Sequence, residues 1–192
     1  CGRTSNMNYF ISDLHFGHKN AIKFDNRPFL TVSDMNSCLI NNWNKTISDN
    51  DDVYILGDVS FDNLSNTISI VEQLKGKLHL IKGNHDYYIN KNEFKNLFVE
   101  ICEYKELKLN NEGIVLCHYP ILCYNKRHYG WYHLYGHIHN GRECDIIQSA
   151  SSQLAKLHGL PNRMLNVGCM LSYMDYTPRN FEYLCSVLDK RG

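Results

Sequence analysis

Short apolar runs alternate with longer amphipathic segments along most of the chain. Compact apolar runs of the kind that form buried strands occupy residues 9–11, 53–56, 78–81, 114–117, 131–135 and 164–167. Between the early runs, apolar residues recur at helical spacing and predict helices over residues 33–48 and 64–74, the first with Ser33 as its N-cap. Strands that alternate with helices in this way predict an α/β fold.

The pattern changes in the second half of the chain. Residues 99–109 alternate apolar and polar side chains, and residues 113–117 are continuously apolar. Because only a short turn separates the two segments, they are predicted to be adjacent, antiparallel strands. Residues 15–30 are predicted to form a polar loop. Thr177-Pro178 resembles the cap and first position of a last helix over residues 180–188.

Side chains that can bind metal follow five of the predicted strands, close to the point where each strand ends. They are Asp13 and His15, Asp58, Asn84 with His85 and Asp86, His118, and His137 with His139. Strand ends in an open α/β sheet converge on one edge, so these groups are expected to lie close together. Carboxylate and amide oxygens mixed with imidazole nitrogens suit divalent transition metals. Taken singly, each segment has an ordinary alternative as a turn, a cap or a hydrogen-bonded histidine.

Composition narrows the choice of function. Lys plus Arg and Asp plus Glu each number 20, so the formal charge is zero, which argues against a nucleic-acid-binding protein with a uniform basic surface. No apolar stretch approaches the length of a membrane helix and no secretory signal is visible, so we expect neither a membrane partner nor export. The eight cysteines form no CxxC pair and are expected to be reduced thiols in the cytoplasm. Residues 1–6 are interpreted as a remnant of cloning that precedes Met7.

The five segments in this order, DxH, GD, GNH[DE], H and GHxH, resemble the signature of the calcineurin-like metallophosphoesterases. The resemblance covers nearly the whole chain from Met7, and residues 11–18 and 26–29 resemble the small bacterial and phage members most. It implies a four-layer α-β-β-α sandwich of two mixed sheets flanked by helices, in a single domain over residues 7–192. It also implies a hydrolase of phosphomonoesters or phosphodiesters that uses two metal ions and a metal-bridging hydroxide as nucleophile.

The same resemblance implies a role for each residue of the signature. Asp58 would bridge two divalent ions, manganese, iron or zinc, and the other ligands would be Asp13, His15 and His139 for one ion and Asn84, His118 and His137 for the other. His85 would handle the proton of the leaving group or hold a phosphoryl oxygen. Asp86 would orient the imidazole of His85, or else cap a helix.

Other polar residues are open to two interpretations. Arg27, together with Asn20, is expected to bind phosphate, and a surface salt bridge is the alternative for the arginine. Residues 126–129 are expected to rim the mouth of the site, or else to form a solvated loop.

The substrate is expected to be a small phosphorylated molecule, and nucleic acid is not expected. A diester is slightly favoured, because no large insertion between the signature segments would cap the site. The alternative function is a catalytically inactive scaffold that keeps the fold and binds a protein partner. The presence of every expected ligand and of His85 favours an enzyme.

Overall fold

The computed structural model describes residues 6–190, so the interpretation of residues 1–6 as a cloning remnant lies, except for Asn6, outside the described residues. The strands in this range are β1 (Asn8–Ile11), β2 (Asp52–Ile55), β3 (Lys77–Ile81), β4 (Glu100–Cys102), β5 (Tyr104–Leu109), β6 (Glu112–Cys117), β7 (Tyr132–Tyr135), β8 (Met164–Asn166) and β9 (Arg179–Asn180). The helices are α1 (Lys19–Phe24), α2 (Val32–Thr46), α3 (Leu64–Val71), α4 (Asn92–Lys95), α5 (Arg142–Leu157) and α6 (Phe181–Asp189).

The strands of residues 6–190 form two mixed sheets. The first has the order β4-β3-β2-β1-β9, in which β1 to β4 are parallel and β9 is antiparallel to β1. The second has the order β5-β6-β7-β8, in which β5 and β6 are antiparallel, as predicted, and the other pairs are parallel. The chain passes from one sheet to the other at Glu103, so residues 99–109 form two strands instead of the predicted one. Only one residue separates β4 from β5, and neither glycine nor proline marks the bend, which is why the sequence does not reveal it.

The second sheet has one face toward the first sheet and one toward α5, because successive side chains of a strand point to opposite faces. The side chains that join the core shared with the first sheet are Ile114, Leu116, Leu134 and Leu165. Those that form a smaller cluster with Ile138 of the following loop and Cys144 of α5 are Val115, Tyr135 and Met164. The predicted fold class, two packed mixed sheets flanked by helices, is confirmed.

The helix α2 covers the first sheet with a buried stripe at helical spacing, formed by Met35, Leu39 and Trp43. Its N-cap is Thr31 and not the predicted Ser33: the Thr31 hydroxyl accepts from the Asp34 N–H at 3.1 Å, and the Asp34 carboxylate accepts from the Thr31 N–H. This reciprocal capping box satisfies two backbone donors at once, which Ser33 cannot do from inside the first turn.

Three other predictions are corrected. The predicted loop over residues 15–30 contains α1, and α5 was not predicted at all. Thr177 and Pro178 precede β9, and the last helix begins after Asn180, whose side chain accepts from the Tyr183 N–H. The buried residues of α5 are Cys144, Ser151 and Ala155, and Ile147 packs beside them.

Two further findings concern membrane-spanning helices and disulfide bonds. None of the helices between residues 6 and 190 is long and apolar enough to cross a membrane. The cysteines in the same range form no disulfide with one another.

Acid is expected to destabilise the fold through His133. This side chain is fully buried; its Nδ1 donates to the Val115 carbonyl at 3.1 Å and its Nε2 accepts from the Ile121 N–H at 3.0 Å, so the ring is held neutral. Burial lowers the pKa of His133 to about 4. In the unfolded chain, the His133 ring takes up a proton near pH 6.5. The part of the free energy of unfolding that depends on this ring, about 3 kcal/mol, is therefore fully present above pH 6.5 and is lost as the pH falls toward 4.

The measurement is urea unfolding of metal-free protein between pH 7 and 4.5. His133→Gln is expected to flatten the pH dependence, whereas the exposed control His128→Gln is expected to leave it unchanged. An equal slope in wild type and His133→Gln would contradict the prediction.

Candidate metal centre

All seven predicted ligands meet at the edge where the carboxyl ends of β1, β2, β3, β6 and β7 come together. The loops are tied by backbone hydrogen bonds, among them Asp13 N–H to the Gly57 carbonyl at 3.1 Å and Gly136 N–H to the His118 carbonyl at 2.9 Å. The Asp13 carboxylate also accepts from the His137 N–H at 3.1 Å. The two sheets therefore share one polar edge, as the sequence pattern predicts.

Three of the ligands form a first cluster. Asp13, His15 and His139 each offer one atom, and these atoms lie within 4.8 Å of one another. The Nε2 atoms of His15 and His139 are 3.0 Å apart, and Asp13 Oδ1 lies 3.6 Å from His139 Nε2. Two ligands of one ion are separated by about 3.0–3.5 Å when each bond is close to 2.1 Å. The spacing therefore fits three ligands around one point.

The remaining ligands form a second cluster beside the first. Asn84 Oδ1 lies 3.0 Å from His118 Nε2 and 2.9 Å from His137 Nδ1. Asp58 Oδ2 lies 3.6 Å from His118 Nε2 and also 3.8 Å from His15 Nε2, which belongs to the first cluster. Asp58 thus lies between the two clusters, and a ligand atom of Asp13, from the first cluster, also lies within 4.8 Å of those of Asp58 and His118.

The protons of two histidines show that these clusters suit a cation. His118 Nδ1 lies 2.7 Å from the Leu56 carbonyl, which can only accept, so the proton of the neutral ring is on Nδ1. Its Nε2 then directs a lone pair at the Asn84 amide oxygen. His139 is arranged in the same way, with Nδ1 at 2.6 Å from an Asp25 oxygen and Nε2 at 3.0 Å from His15 Nε2. Rings whose far nitrogen is held by a carbonyl or a carboxylate, and whose near nitrogen lies about 3 Å from another metal-binding atom, fit bound metal.

The backbone of the site is held in an unusual conformation. Five of the seven predicted ligands have φ values between 47° and 72°, in the left-handed region that costs most residues about 1 kcal/mol or more. They are Asp13, His15, Asp58, His137 and His139. Close packing adds a second constraint, because a Cβ at Gly83 would collide with the Asp58 carboxylate. The loop conformations therefore orient these side chains toward the site at a cost in backbone strain.

The electrostatics of the site also favour a cation. Burial, helped by the neighbouring Asp13 carboxylate, raises the pKa of Asp58 to about 6 against the opposing influence of His118. Burial, and next the charge of His139, lowers the pKa of His15 well below its usual value. The His15 ring is therefore neutral and can offer a nitrogen lone pair to a metal ion. A neutral imidazole and a carboxylate without a compensating positive partner are what a divalent ion requires.

Comparison with known families agrees with this geometry. The family profile described as the calcineurin-like phosphoesterase superfamily domain matches residues 8–184. The chain belongs to the calcineurin-like phosphoesterase superfamily.

Individual relatives of this chain are distant. An uncharacterized protein of Methanocaldococcus jannaschii is 29% identical over 184 residues, which cover 95% of this chain and 91% of that protein. A UDP-2,3-diacylglucosamine hydrolase of Wigglesworthia glossinidia brevipalpis is 31% identical over 133 residues, which cover 62% of this chain and 49% of the hydrolase. The solved structure of a protein of unknown function from Aquifex aeolicus has a TM-score of 0.72 and 24% identity, covering 95% of this chain and all of the other, and it supports the fold.

His85 lies beside both clusters but belongs to neither. Its backbone N–H donates to Asp58 Oδ1 at 2.9 Å, and its ring packs on Phe61 with centroids 4.4 Å apart. Its Nδ1 lies 2.8 Å from the hydroxyl of Tyr87, so the ring is held from the side of Nδ1. The sequence analysis missed Tyr87, whose position two residues after His85 was the available signal.

Asp86 does not orient His85, contrary to the prediction. One carboxylate oxygen accepts from the Val59 N–H at 2.9 Å, and the other accepts from the N–H groups of Asp58 and Gly83 at 3.0 and 2.7 Å. Both oxygens are therefore occupied by backbone, and helix capping is excluded as well. Asp86 instead ties the loop after β2 to the loop after β3.

The predicted phosphate clamp at Arg27 is wrong, and so is the alternative of a surface salt bridge. The side chain of Arg27 is buried and pairs with Asp25 through Nε and Nη2, each 2.8 Å from Asp25 Oδ2. Its remaining donors are used by the Leu14 and Asp13 carbonyls at 2.9 and 3.0 Å and by Met35 Sδ at 3.6 Å. Asn20 lies on the exposed first turn of α1, and its contact with substrate stays a prediction.

Arg27→Ala is therefore expected to change stability more than substrate binding. Breaking a buried ion pair by removing one partner costs about 3–5 kcal/mol of the free energy of unfolding. The measurement is urea unfolding at pH 7, with Lys82→Ala as control, because the more exposed Lys82–Glu103 pair contributes less than about 1 kcal/mol. If Arg27→Ala leaves the stability unchanged and raises KM, the interpretation of Arg27 as a phosphate-binding residue would be correct.

Residues 126–129 are directed away from the predicted ligands. Lys126 pairs with Glu106 of β5 at 3.2 Å and lies over the Trp131 ring. Arg127 and His128 line a cavity of about 350 Å³ with Leu154 and His158 at the end of α5. The prediction that these four residues rim the site is therefore not supported by their contacts.

Proposed function

We propose that this chain is a hydrolase of phosphomonoesters or phosphodiesters that uses two divalent metal ions, manganese, iron or zinc. The observation that carries the proposal is the position of Asp58 Oδ2, within 4 Å of a histidine of each cluster. One carboxylate between two ligand sets is the arrangement that a two-ion centre needs. The relative named UDP-2,3-diacylglucosamine hydrolase agrees with hydrolysis but matches over only about half of its length.

Each ion would be held by residues that the fold already places. Asp13, His15, His139 and Asp58 would hold one, and Asn84, His118, His137 and Asp58 the other. When bound, two divalent ions lower the pKa of water toward neutrality and neutralise charge on the phosphoryl oxygens. Asn84 is exposed, which leaves this side of the centre open to substrate.

His85 would supply the proton that the leaving oxygen needs. Its Nδ1 faces the Tyr87 hydroxyl at 2.8 Å, so Nε2 is the ring atom left to meet a ligand. In the acid form, the imidazolium, both nitrogens carry a proton: Nδ1 would donate to the Tyr87 oxygen, and the Nε2 proton would pass to the leaving oxygen, which leaves a neutral ring. Tyr87 is 65% exposed, so the ester's leaving group would have room on this side.

The proposal is tested by hydrolysis of bis(4-nitrophenyl) phosphate and 4-nitrophenyl phosphate by protein supplied with manganese. Turnover that a chelator abolishes and manganese restores is the expected result. A higher kcat/KM for the diester would support the preference for diesters. A protein that binds metal and hydrolyses neither these esters nor a panel of phosphorylated metabolites would favour the inactive scaffold.

The metal content is expected to be two ions per chain. Protein reconstituted with excess manganese or zinc and freed of unbound metal is analysed for metal and protein together. Because the two ligand sets share Asp58 and lie side by side, both are expected to fill under these conditions. A ratio at or below one would count against two ions.

A further inference from the structure

The Asp25 carboxylate is buried beside the metal centre but is not one of the predicted ligands. Oδ1 accepts from His139 Nδ1 at 2.6 Å, and Oδ2 pairs with Arg27 at 2.8 Å. Burial disfavours the charged form, but the hydrogen bond from His139 and the charges of His139 and Arg27 outweigh it and lower the pKa of Asp25. Both oxygens of an ionised carboxylate are thus committed to named partners.

The Asp25–Arg27 pair joins two ligand loops that are far apart in sequence. Arg27 donates to the carbonyls of Asp13 and Leu14, in the loop after β1. Asp25 holds the ring of His139, in the loop after β7, and its own carbonyl accepts from Asn140 Nδ2 at 2.9 Å. The pair therefore fixes the distance between the two loops that carry the first cluster.

We propose that Asp25 is a positioning residue for the ion held by Asp13, His15 and His139, and that it sets the affinity of that ion alone. The inference rests on the two-ion centre of the proposed function. A carboxylate on the far nitrogen of a ligating histidine fixes the ring orientation and strengthens the donor atom, and its loss typically weakens metal binding by about 10–100-fold. Arg27 holds the carboxylate in place and prevents it from turning toward the ion as a ligand.

The second cluster is positioned by other means, which is why the effect is expected to be selective. His118 of that cluster is fixed by a backbone carbonyl, that of Leu56 at 2.7 Å. The carboxylate that braces the surrounding loops there is Asp86, whose partners are all backbone N–H groups. Asp25 is bonded to His139, Arg27 and Asn140 and to no residue of the second cluster.

The test is a cobalt(II) titration of the metal-free full chain, followed by visible absorption and by competition with a chelator. In Asp25→Asn, one of the two binding steps is expected to weaken by about 10–100-fold, with the other within about threefold. The matched control is Asp34→Asn, the same chemical change at an exposed capping carboxylate, and it is expected to change neither step. Equal weakening of both steps, or no weakening, would overturn the proposal.

A measurement on the wild-type protein covers the case in which Asp25→Asn does not fold. In ¹⁵N-edited NMR spectra of the zinc-loaded protein, His139 is expected to show a downfield, slowly exchanging Nδ1 proton, with Nε2 bound to zinc. A His139 that binds zinc through Nδ1, or whose Nδ1 proton exchanges freely, would overturn the role of Asp25. Neither readout requires turnover, so a protein that passes both and hydrolyses nothing would refute the proposed function only.

Discussion

Replacement of Asp58 by asparagine is expected to remove nearly all hydrolytic activity and to lower the metal content. The amide keeps the shape of the side chain but loses the charge that would serve both ions through Oδ2, which lies 3.8 Å from His15 Nε2 and 3.6 Å from His118 Nε2. Charge stabilisation by a metal ion is worth several kcal/mol in the transition state, so kcat/KM is expected to fall by about 10³-fold or more.

The comparison variants make the Asp58 result specific. His137→Ala and His139→Ala each remove a ligand of one cluster, and each is expected to cost less than Asp58→Asn. Asp62→Asn makes the same chemical change four residues later, at a carboxylate that accepts from Asn63 N–H and the Asn66 side chain, and it is expected to retain activity. An Asp58→Asn protein that keeps two ions and most of its rate would contradict the bridging role of Asp58.

Replacement of His85 is expected to slow hydrolysis without releasing metal, because its side chain is in neither ligand cluster. Loss of a general acid typically costs about 10²–10⁴-fold in rate. The cost depends on the leaving group: an alkoxide needs a proton as it departs, whereas a nitrophenolate is stable without one. His85→Asn should therefore lower kcat strongly on an alkyl ester and much less on the nitrophenyl ester.

Two outcomes would contradict this role for His85. Similar losses on both esters would mean that His85 steadies the phosphoryl oxygen and transfers no proton. A loss of metal would mean that His85 is a ligand. Tyr87→Phe, which removes only the hydroxyl 2.8 Å from Nδ1, is a useful companion, because it should produce a smaller loss with the same dependence on the leaving group.

The sequence predicts which side chains gather at this edge because the predicted ligands obey two local rules. Each follows an apolar strand, and the ends of neighbouring parallel strands lie at one edge. Asp13 and His15 could therefore be placed beside Asp58 without knowledge of the loops. The side chains behind them obey no such rule. Asp25 reaches His139 across 114 positions of the chain, and nothing in the local sequence distinguishes it from a loop carboxylate on the surface.

The errors of the sequence analysis have the same origin. Arg27 lies in a polar segment, and polarity normally indicates exposure, but its charge is buried because Asp25 and two carbonyls satisfy it. Asp86 was linked to His85 by adjacency, whereas its carboxylate faces the loop after β2. The short apolar strands were located correctly, whereas residues 99–109 were treated as one strand because a single residue, Glu103, separates β4 from β5.

The left-handed backbone conformation of five predicted ligands affects which residues can replace them. This conformation costs an ordinary side chain about 1 kcal/mol or more, and glycine adopts it without strain. Glycine would nevertheless destabilise the fold at two of these positions. At His15 it would leave a cavity in a buried site, and at His139 it would remove a partner of the buried Asp25 carboxylate. A descendant that had lost catalysis would therefore keep both histidines for packing, so their presence in a relative is not by itself a sign of activity.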